Sequence, residues 1–484
     1  MINKLVWNKL LSIKRQRESC AMTESKNETE SMTARNDFEA DYDRIVGSSS
    51  VRRLQDKAQV FPLQENDFTR TRLTHSIEVS ALARSLGKAV GKQLEKKEVF
   101  TAEMTDQFAA LLQTAGLIHD LGNPPFGHYG ESVIRRWFEN WFQSDEFHDI
   151  QEKMTIQEKN DFIYFDGNVQ NLRIVTKLQT LNDKYGANFT YATLATIIKY
   201  PWRSDGRPSG KSKYGYFKSE EKIVEKIQKE VGLEDGIRHP ATYLLEAADD
   251  IIYICDDIED GTKKGYIDWE KEYNDLKKVI LKESGESKKY VELFLKIDNK
   301  KTDSELGDSE VKLSKVRNFR NYTQGYLLER AVEEFIKSYD KIMEGTYEYN
   351  ELLHEESLLI DKLKEITAEN CFACHEVLAL ELVGDKVIKT LLDIFVETLV
   401  FSSAKDLLKS KTYAGKIYKL ISPNFTYIAL NENDDKSSFE SNYERLDALS
   451  VYDRLHLAVD FISGMTDSYA VNLYKELMGI KLPY

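Results

Sequence analysis

A helical period runs through most of this chain, and few residues interrupt it. The stretch 103–121 shows the period most clearly, since its apolar side chains recur at spacings of three and four, at Phe108, Leu111, Leu112, Ala115 and Ile118. The Gly122-Asn123-Pro124-Pro125 run that follows is expected to stop this helix. Only 8 prolines and 24 glycines occur among 484 residues, which leaves little material for turn-rich β structure. These features predict an all-α fold of many helices.

A second strongly apolar helix is predicted over 240–260. Pro240 starts it, and proline is favoured in the first helical turn because the N–H that it lacks has no intrahelical partner there. Gly261 follows and is predicted to cap the C-terminal end. Thr and Ile crowd the stretch 187–202, where helix is favoured over strand, and the polar stretch 430–446 is predicted to be a surface loop.

The charge balance is acidic. Lys plus Arg number 67 and Asp plus Glu number 81, so the formal net charge is −14. This excludes a generally basic coat for nucleic acid, and a polyanionic ligand must find a local basic pocket instead. No window approaches eighteen unbroken apolar residues, so no membrane span is expected.

Cysteine usage favours a reducing compartment. The four cysteines are Cys20, Cys255, Cys371 and Cys374, too few for a disulfide framework, and the basic N-terminal stretch shows no secretory pattern. We therefore expect a cytoplasmic protein. The Cys371-Phe-Ala-Cys374-His375 run matches a haem-attachment pattern, but without an export signal we interpret it as two buried thiols on a helix.

One histidine–aspartate pair stands at the end of the first apolar helix. His119 and Asp120 are adjacent there, His75 follows an arginine-rich turn, and Asp249 lies on the second apolar helix. Burying a carboxylate without a partner is costly, and a divalent metal removes that cost by taking imidazole nitrogens and carboxylate oxygens together. Such a mixed ligand set suits manganese, iron, magnesium or zinc without a unique choice. The competing interpretation is a surface or capping pair.

Further polar residues share the face of Asp249. Tyr253 is four residues on and Asp257 is eight on, so all three lie on one side of a helix that is otherwise apolar. This pattern is typical of a cavity wall, although a polar stripe facing solvent stays open as an alternative.

Several blocks, in this order along the chain, carry a resemblance to a known family: RRLQDKAQVFP at 52–62, RTRLTHS at 70–76, HDLGNPPFGHYGE at 119–131, KYPW at 199–202, EAADDIIY at 246–253 and ISGMTDSYA at 462–470. Together they resemble the bacterial deoxyguanosinetriphosphate triphosphohydrolases of the HD-domain phosphohydrolase superfamily. The resemblance implies an HD-type catalytic core over 41–265. A partly loose segment over 1–40 would precede the core, and a helical region over 266–484 would complete the nucleotide pocket and the oligomer interface.

The resemblance also implies a role for individual residues. The metal ligands would be His75, His119, Asp120 and Asp249, and the catalytic pair would be His128 and Glu131. Gln59 and Asp257 would read the sugar 3′-hydroxyl, Tyr253 would pack against C2′, and Arg72, Lys199 and Tyr200 would hold phosphates. The mammalian relatives have a histidine at the position of Asn123, whose role stays open. The metal would be Mn²⁺ or Mg²⁺, with Fe, Zn and Co as alternatives.

Arg454, in the C-terminal region, could read guanine O6 and N7, or could cap a helix. The implied activity is hydrolysis of dGTP, and of other dNTPs in some cases, to a deoxynucleoside and inorganic triphosphate. The implied partners are a homo-oligomer of four or six subunits and a single-stranded DNA or dNTP effector, with no membrane. Two alternatives remain: a nucleotide-binding oligomeric sensor or scaffold with little catalysis, and an HD phosphodiesterase acting on another phosphate ester.

Overall fold

The structure is a computed structural model that describes residues 4–17, 35–61, 69–148, 150, 153–179, 183–302, 307–349, 351–432 and 439–482. Within these ranges the chain forms 24 α-helices and no β-strand, which confirms the predicted all-α fold. Short 3-10 and π-helical turns adjoin several of the helices.

The helices of the first half are α1 (Trp7–Leu10), α2 (Asp37–Val46), α3 (Ser49–Arg53), α4 (Arg72–Lys96), α5 (Ala102–Ile118), α6 (Gly127–Trp141), α7 (Asp145–His148), α8 (Ile156–Ile163), α9 (Gly167–Arg173), α10 (Tyr191–Thr196), α11 (Glu221–Val231) and α12 (Pro240–Lys263). Those of the second half are α13 (Trp269–Glu283), α14 (Lys288–Asp298), α15 (Asp308–Lys337), α16 (Tyr339–Met343), α17 (Ser357–Thr367), α18 (His375–Phe401), α19 (Ala404–Leu408), α20 (Tyr413–Leu420), α21 (Pro423–Asn431), α22 (Asn442–Asp447), α23 (Val451–Ser463) and α24 (Asp467–Leu477).

Three long helices, α4, α5 and α12, pack against one another at the centre of the molecule. α5 and α12 are buried around most of their circumference, whereas α4 buries one face. α15 covers α12 and α4 from one side, while α18 packs against α6, α23 and α24. The buried apolar side chains join into one continuous core.

The first described segment is docked onto the body of the protein. Trp7 is buried and donates its indole N–H to the Tyr339 hydroxyl at 2.8 Å. Arg15 is buried as well and pairs with the buried carboxylate of Asp41. Residues 4–17 therefore form an integral part of the fold. Residues 18–34 of the segment 1–40, which was predicted to be partly loose, lie outside the described residues.

The predicted helix at 240–260 forms, but the prediction that Gly261 caps it is wrong. α12 continues to Lys263, and Gly261 lies inside its last turn. A Cβ at Gly261 would lie 2.5 Å from the sulfur of Cys371. Close packing against a neighbouring segment therefore explains this glycine, and a left-handed cap does not.

Two weaker predictions hold only in part. Helix in the stretch 187–202 is confined to Tyr191–Thr196. In the polar stretch 430–446, residues 433–438 lie outside the described ranges, but Asn442–Asp447 is helical because Ser441 and Glu444 form a capping box. Of the thiol pair, Cys371 is buried and Cys374 is half-buried at the N-cap of α18.

A buried histidine joins the first segment to α12. His239 is the N-cap of α12 and accepts a hydrogen bond from the Ala241 N–H at Nδ1, 3.1 Å away. Its Nε2 lies 3.0 Å from the Leu10 carbonyl, to which it donates. This arrangement needs a neutral imidazole, and burial lowers the pKa of His239 to about 4.

We expect the free energy of unfolding to depend on His239 between pH 6.5 and 4. The pKa is depressed in the folded state, so the stabilising term is complete above the unfolded value of about 6.5 and decreases as the pH falls, by about 3 kcal/mol in all. A His239→Asn variant keeps a capping side chain without titrating. Its stability should therefore fall less between pH 6.5 and 4 than that of the wild type, as measured by urea unfolding at each pH.

If the two stability curves stay parallel across this range, His239 does not titrate on unfolding. A constant offset between them reports only the lost contact with Leu10.

Candidate active site

Three helices bring two histidines and two aspartates together. His75 lies in the first turns of α4, His119 and Asp120 follow the end of α5, and Asp249 lies in the middle of α12. Nε2 of His75 and Nε2 of His119 each lie 3.2 Å from Oδ1 of Asp249. Oδ1 of Asp120 lies 3.7 Å from Nε2 of His119.

The orientation of His119 suits a metal ligand. Its Nδ1 lies 2.7 Å from the Gly116 carbonyl, which can only accept, so Nδ1 carries the proton. Nε2 then faces the cluster, where this buried atom has no aligned hydrogen-bond partner among the described residues. Ligand atoms of His75, His119 and Asp120 all lie within 4.8 Å of one another, so the donor set fits a divalent cation.

Cations and an amide surround the two carboxylates. Arg72 Nη1 donates to Asp120 Oδ2 at 2.6 Å, and the Asn123 side chain donates to Asp120 Oδ1 at 2.6 Å. Lys199 Nζ donates to Asp249 Oδ2 at 3.2 Å. Burial would raise the pKa of both carboxyls, but Arg72 beside Asp120, and His119 and Lys199 beside Asp249, hold them well below their usual range. Both carboxylates are therefore ionised at neutral pH.

Arg72 reaches Asp120 because a glycine leaves room for it. Gly127 has φ +57°, in the left-handed region, and a Cβ there would lie 2.5 Å from Nη2 of Arg72. A side chain at this position would therefore be strained and would displace the guanidinium.

The cluster forms the floor of a cavity of about 290 Å³. The cavity is lined by Gln59, Arg72, His75, His119, Asp120, Asn123, His128, Asn168, Lys199, Tyr200, Lys213, Asp249, Asp250 and Tyr253. A second cavity of about 250 Å³, which we call the annex, shares Gln59, Arg72, His128 and Tyr253 with it. The annex is further lined by Ala58, Val60, Phe126, Gly127, Tyr129, Phe372, Val377 and Glu381.

Ten of the thirteen predicted site residues line the first cavity, and two more adjoin it. Glu131 is buried behind His128, whose Nδ1 lies 3.2 Å from Glu131 Oε2. The Gly167 N–H holds the other oxygen of Glu131 at 2.7 Å. His128 itself is open to the cavity, with 73% of its side chain exposed. Asp257 is buried one helical turn beyond Tyr253.

Arg454 lies elsewhere in the molecule. Its guanidinium is buried and donates to the carbonyls of Leu399 at 2.7 Å, Ser402 at 3.0 Å and Leu446 at 3.1 Å. These carbonyls lie at or near the C-terminal ends of α18 and α22, where a cation is favourable. The structure thus gives Arg454 the helix-capping role, and it does not line either cavity as a base-reading residue would.

Among the charged and amide side chains that line the two cavities, four were not considered in the sequence-based prediction. Asn168 follows the N-cap of α9 in an ordinary capping sequence, and Lys213 lies in a Gly- and Ser-rich stretch without a helical period. Asp250 is adjacent to Asp249 on α12, and Glu381 lies on α18, far along the chain. Lys213 Nζ lies 3.2 Å from Asp166, which holds the ammonium near the cavity.

A second group of side chains that could bind a metal is already paired with a lysine. It comprises Glu334, His354 and Glu355. The ammonium of Lys337 lies 3.0 Å from Glu334 and 2.7 Å from Glu355, between the two carboxylates. This group therefore offers a control for the first.

The helical fold and its histidine–aspartate centre define the chain as an HD-domain protein, and the HD-domain family model matches residues 72–164. The HD fold is that of metal-dependent phosphohydrolases. A deoxyguanosinetriphosphate triphosphohydrolase-like protein of Listeria innocua is 38% identical over 98% of this chain and 99% of its own length.

The corresponding protein of Synechocystis is 33% identical over 93% of this chain and 95% of its own length. The deoxyguanosinetriphosphate triphosphohydrolase of Salmonella paratyphi A is 32% identical over 92% and 94% of the two lengths. The chain belongs to the deoxyguanosinetriphosphate triphosphohydrolase family, as its resemblance implied. In the part of the chain that the structure describes, no helix combines the length and the apolar character needed to cross a bilayer.

We expect Asp249→Asn to abolish tight Mn²⁺ binding, because one of the two ligand carboxylates loses its charge. Chelator-treated wild type should gain thermal stability when Mn²⁺ is added, since the ion binds the folded state. The variant should show no such gain, and its Mn²⁺ affinity by calorimetry should fall by more than about 100-fold. His354→Ala, in the group that contains Lys337, is the matched control and should bind like the wild type. Equal Mn²⁺ binding by Asp249→Asn would rule out this ligand set.

Proposed function

We propose that this protein is a metal-dependent dNTP triphosphohydrolase whose main substrate is dGTP, and that it releases a deoxynucleoside and inorganic triphosphate. One observation carries the proposal. Two imidazoles and two carboxylates lie at the floor of a cavity that Arg72, Lys199 and Lys213 also line. An anionic phosphate chain needs such an arrangement, and it occurs here in a chain with a net charge of −14.

Some residues of the cavity would bind the metal ion, and others would bind the substrate. His75, His119, Asp120 and Asp249 would hold the divalent metal, which acts as a Lewis acid on phosphate oxygens when it is bound. Arg72 can pair with phosphate oxygens in bidentate fashion, and Lys199 and Lys213 add point charges. Phosphoryl transfer depends mainly on such positioning and charge stabilisation, so these side chains would supply much of the rate enhancement.

His128 would carry out the proton transfer. Its ring is open to the cavity, while its Nδ1 faces the buried Glu131. Glu131 would fix the tautomer, so that Nε2 points to the substrate. From there Nε2 can accept a proton from the attacking water or donate one to the departing sugar oxygen.

Sugar selection would depend on Tyr253, Gln59 and Asp257. Tyr253 lines both cavities, so its ring can pack against C2′ and leave no room for a ribose hydroxyl. The buried Oε1 of Gln59 has no hydrogen-bond partner among the described residues, and neither has Oδ2 of Asp257. Buried unpaired acceptors of this kind favour a ligand that brings a hydroxyl donor.

The annex is suited to a guanine base. Phe126, Tyr129, Phe372 and Val377 offer apolar surface, and Glu381 is the carboxylate among its lining residues. The Watson–Crick edge of guanine presents two adjacent N–H donors, and a carboxylate can accept both at once. Adenine presents a donor beside an acceptor, which a carboxylate matches less well.

Product analysis tests the proposal directly. The purified protein is incubated with Mn²⁺ and each dNTP in turn, and the products are separated by ion-exchange chromatography. We expect inorganic triphosphate and deoxyguanosine from dGTP. Pyrophosphate or orthophosphate as the first product would contradict the proposal, since either shows cleavage at another bond.

In the same assay, His128→Ala should lower kcat by about 10²–10⁴-fold, because general acid–base help is lost. Its thermal stabilisation by Mn²⁺ should equal that of the wild type, since His128 is not a ligand. A variant with full turnover would rule out the proton-transfer role.

We expect Glu381→Gln to lose preference for dGTP. The amide keeps one acceptor but places an N–H against a guanine N–H, so kcat/KM for dGTP relative to dATP should fall roughly tenfold. Competition between the two nucleotides in one reaction measures this ratio. An unchanged ratio would exclude Glu381 from base selection.

A further inference from the structure

The ISGMTDSYA motif at 462–470 contains a turn at which two helix ends meet. α23 ends at Ser463 and α24 begins at Asp467, and neither residue lines the cavity or the annex. The C-terminal end of a helix carries partial negative charge and the N-terminal end carries partial positive charge. The turn is therefore a place where a cation and an anion can both be buried.

Lys57 is the basic side chain at this turn. Its side chain is buried, and its ammonium donates to the Ser463 carbonyl at 3.1 Å, at the C-terminal end of α23. The same ammonium donates to the Asn123 carbonyl. Its backbone carbonyl accepts the Arg72 N–H at 3.0 Å. Lys57 thus joins the turn to two segments that line the cavity.

Asp467 is the anion, and it bridges two further segments. Its Oδ2 accepts the Ala58 N–H at 3.0 Å, and its Oδ1 accepts the Phe126 N–H at 2.9 Å. Ala58 precedes Gln59, and Phe126 lies two residues before His128. One buried carboxylate therefore sets the distance between the segment of Gln59 and the loop of His128.

The loop at Phe126 is strained and needs such support. Phe126 has φ +62° and ψ +18°, a left-handed conformation, and no side chain caps α6 at this point. A non-glycine residue in this region is strained and persists only where its surroundings hold it. The bond from its N–H to Asp467 is one such restraint.

We propose that Asp467, assisted by Lys57, is a positioning residue for the reaction. It holds Gln59 and His128 at a set separation, so that the sugar 3′-hydroxyl and the reacting phosphate are engaged together. This inference rests on the proposed function, but it concerns residues that touch neither substrate nor metal. The four proposed metal ligands lie on or directly after α4, α5 and α12. The two hydrogen bonds that Asp467 accepts, from Ala58 and Phe126, do not involve these helices.

Asp467→Asn tests the proposal. The amide has the same shape, but its NH₂ group would face one of the two backbone N–H groups, so one segment is released. We expect the ratio of kcat/KM for dGTP to that for 2′,3′-dideoxy-GTP to fall roughly tenfold, because Gln59 no longer meets the 3′-hydroxyl. kcat for dGTP should fall as well, and stabilisation by Mn²⁺ should be unchanged.

Asp41→Asn is the matched control. Asp41 is also a buried carboxylate that accepts a backbone N–H, that of Thr190 at 3.0 Å, and it lines neither cavity. Both variants should lose thermal stability, but the control should keep the wild-type sugar ratio. If Asp467→Asn loses stability while its ratio stays that of the wild type, the positioning role is overturned.

Lys57→Met provides a second variant if Asp467→Asn does not fold, and a lowered sugar ratio is expected there too. An unchanged ratio in Lys57→Met would then overturn the proposal. Should the wild type release triphosphate from no dNTP, the proposed function fails by itself. The affinities for dGTP and dideoxy-GTP are then compared by calorimetry in the same variants, and equal ratios in variant and wild type overturn the positioning role.

Discussion

The rest of this structure depends on one interaction. Two carboxylates at the centre of the molecule are in contact with groups that compensate their negative charge. Asp120 and Asp249 stay ionised away from solvent only because Arg72, Asn123, Lys199 and the two imidazoles surround them. These groups come from three parts of the chain, at 72–75, 119–123 and 199, so the fold must bring several segments to one point. A bound divalent ion would add to this compensation, which explains how a helical core tolerates so many polar groups.

The helical framework meets that demand through close packing of α4, α5 and α12. Their apolar surfaces bury one another, while the ends of α4 and α5 and the middle of α12 present polar side chains to a shared space. Phe372, Val377 and Glu381, from the C-terminal region, line the adjoining annex. Chemistry and stability are therefore coupled here, because the helices that carry the ligands are also those that form the core.

The sequence predicted the helices because helical period is a local property. The ligand set of His75, His119, Asp120 and Asp249 came from the family resemblance, since no local pattern indicates which distant residues meet. The sequence-based predictions were wrong or incomplete where the role of a residue depends on contacts with residues far away in the chain. Gly261 has the local signature of a cap, yet its surroundings include Cys371, which lies 110 residues away on the chain. Arg454 has a long side chain whose donors find carbonyls 55 and 52 residues away. Lys213 lies in a stretch with no period, so nothing local marked it.

The docking of the first segment has a consequence for the order in which the protein can be completed on the ribosome. Leu10 and His239 are 229 residues apart on the chain, and Trp7 and Tyr339 are 332 apart. The first helix therefore leaves the exit tunnel long before its partners are synthesised. Its apolar side must remain exposed, or be sheltered by a chaperone, until the residues around Tyr339 have been synthesised. This segment is synthesised before its partners and can therefore dock only late in assembly.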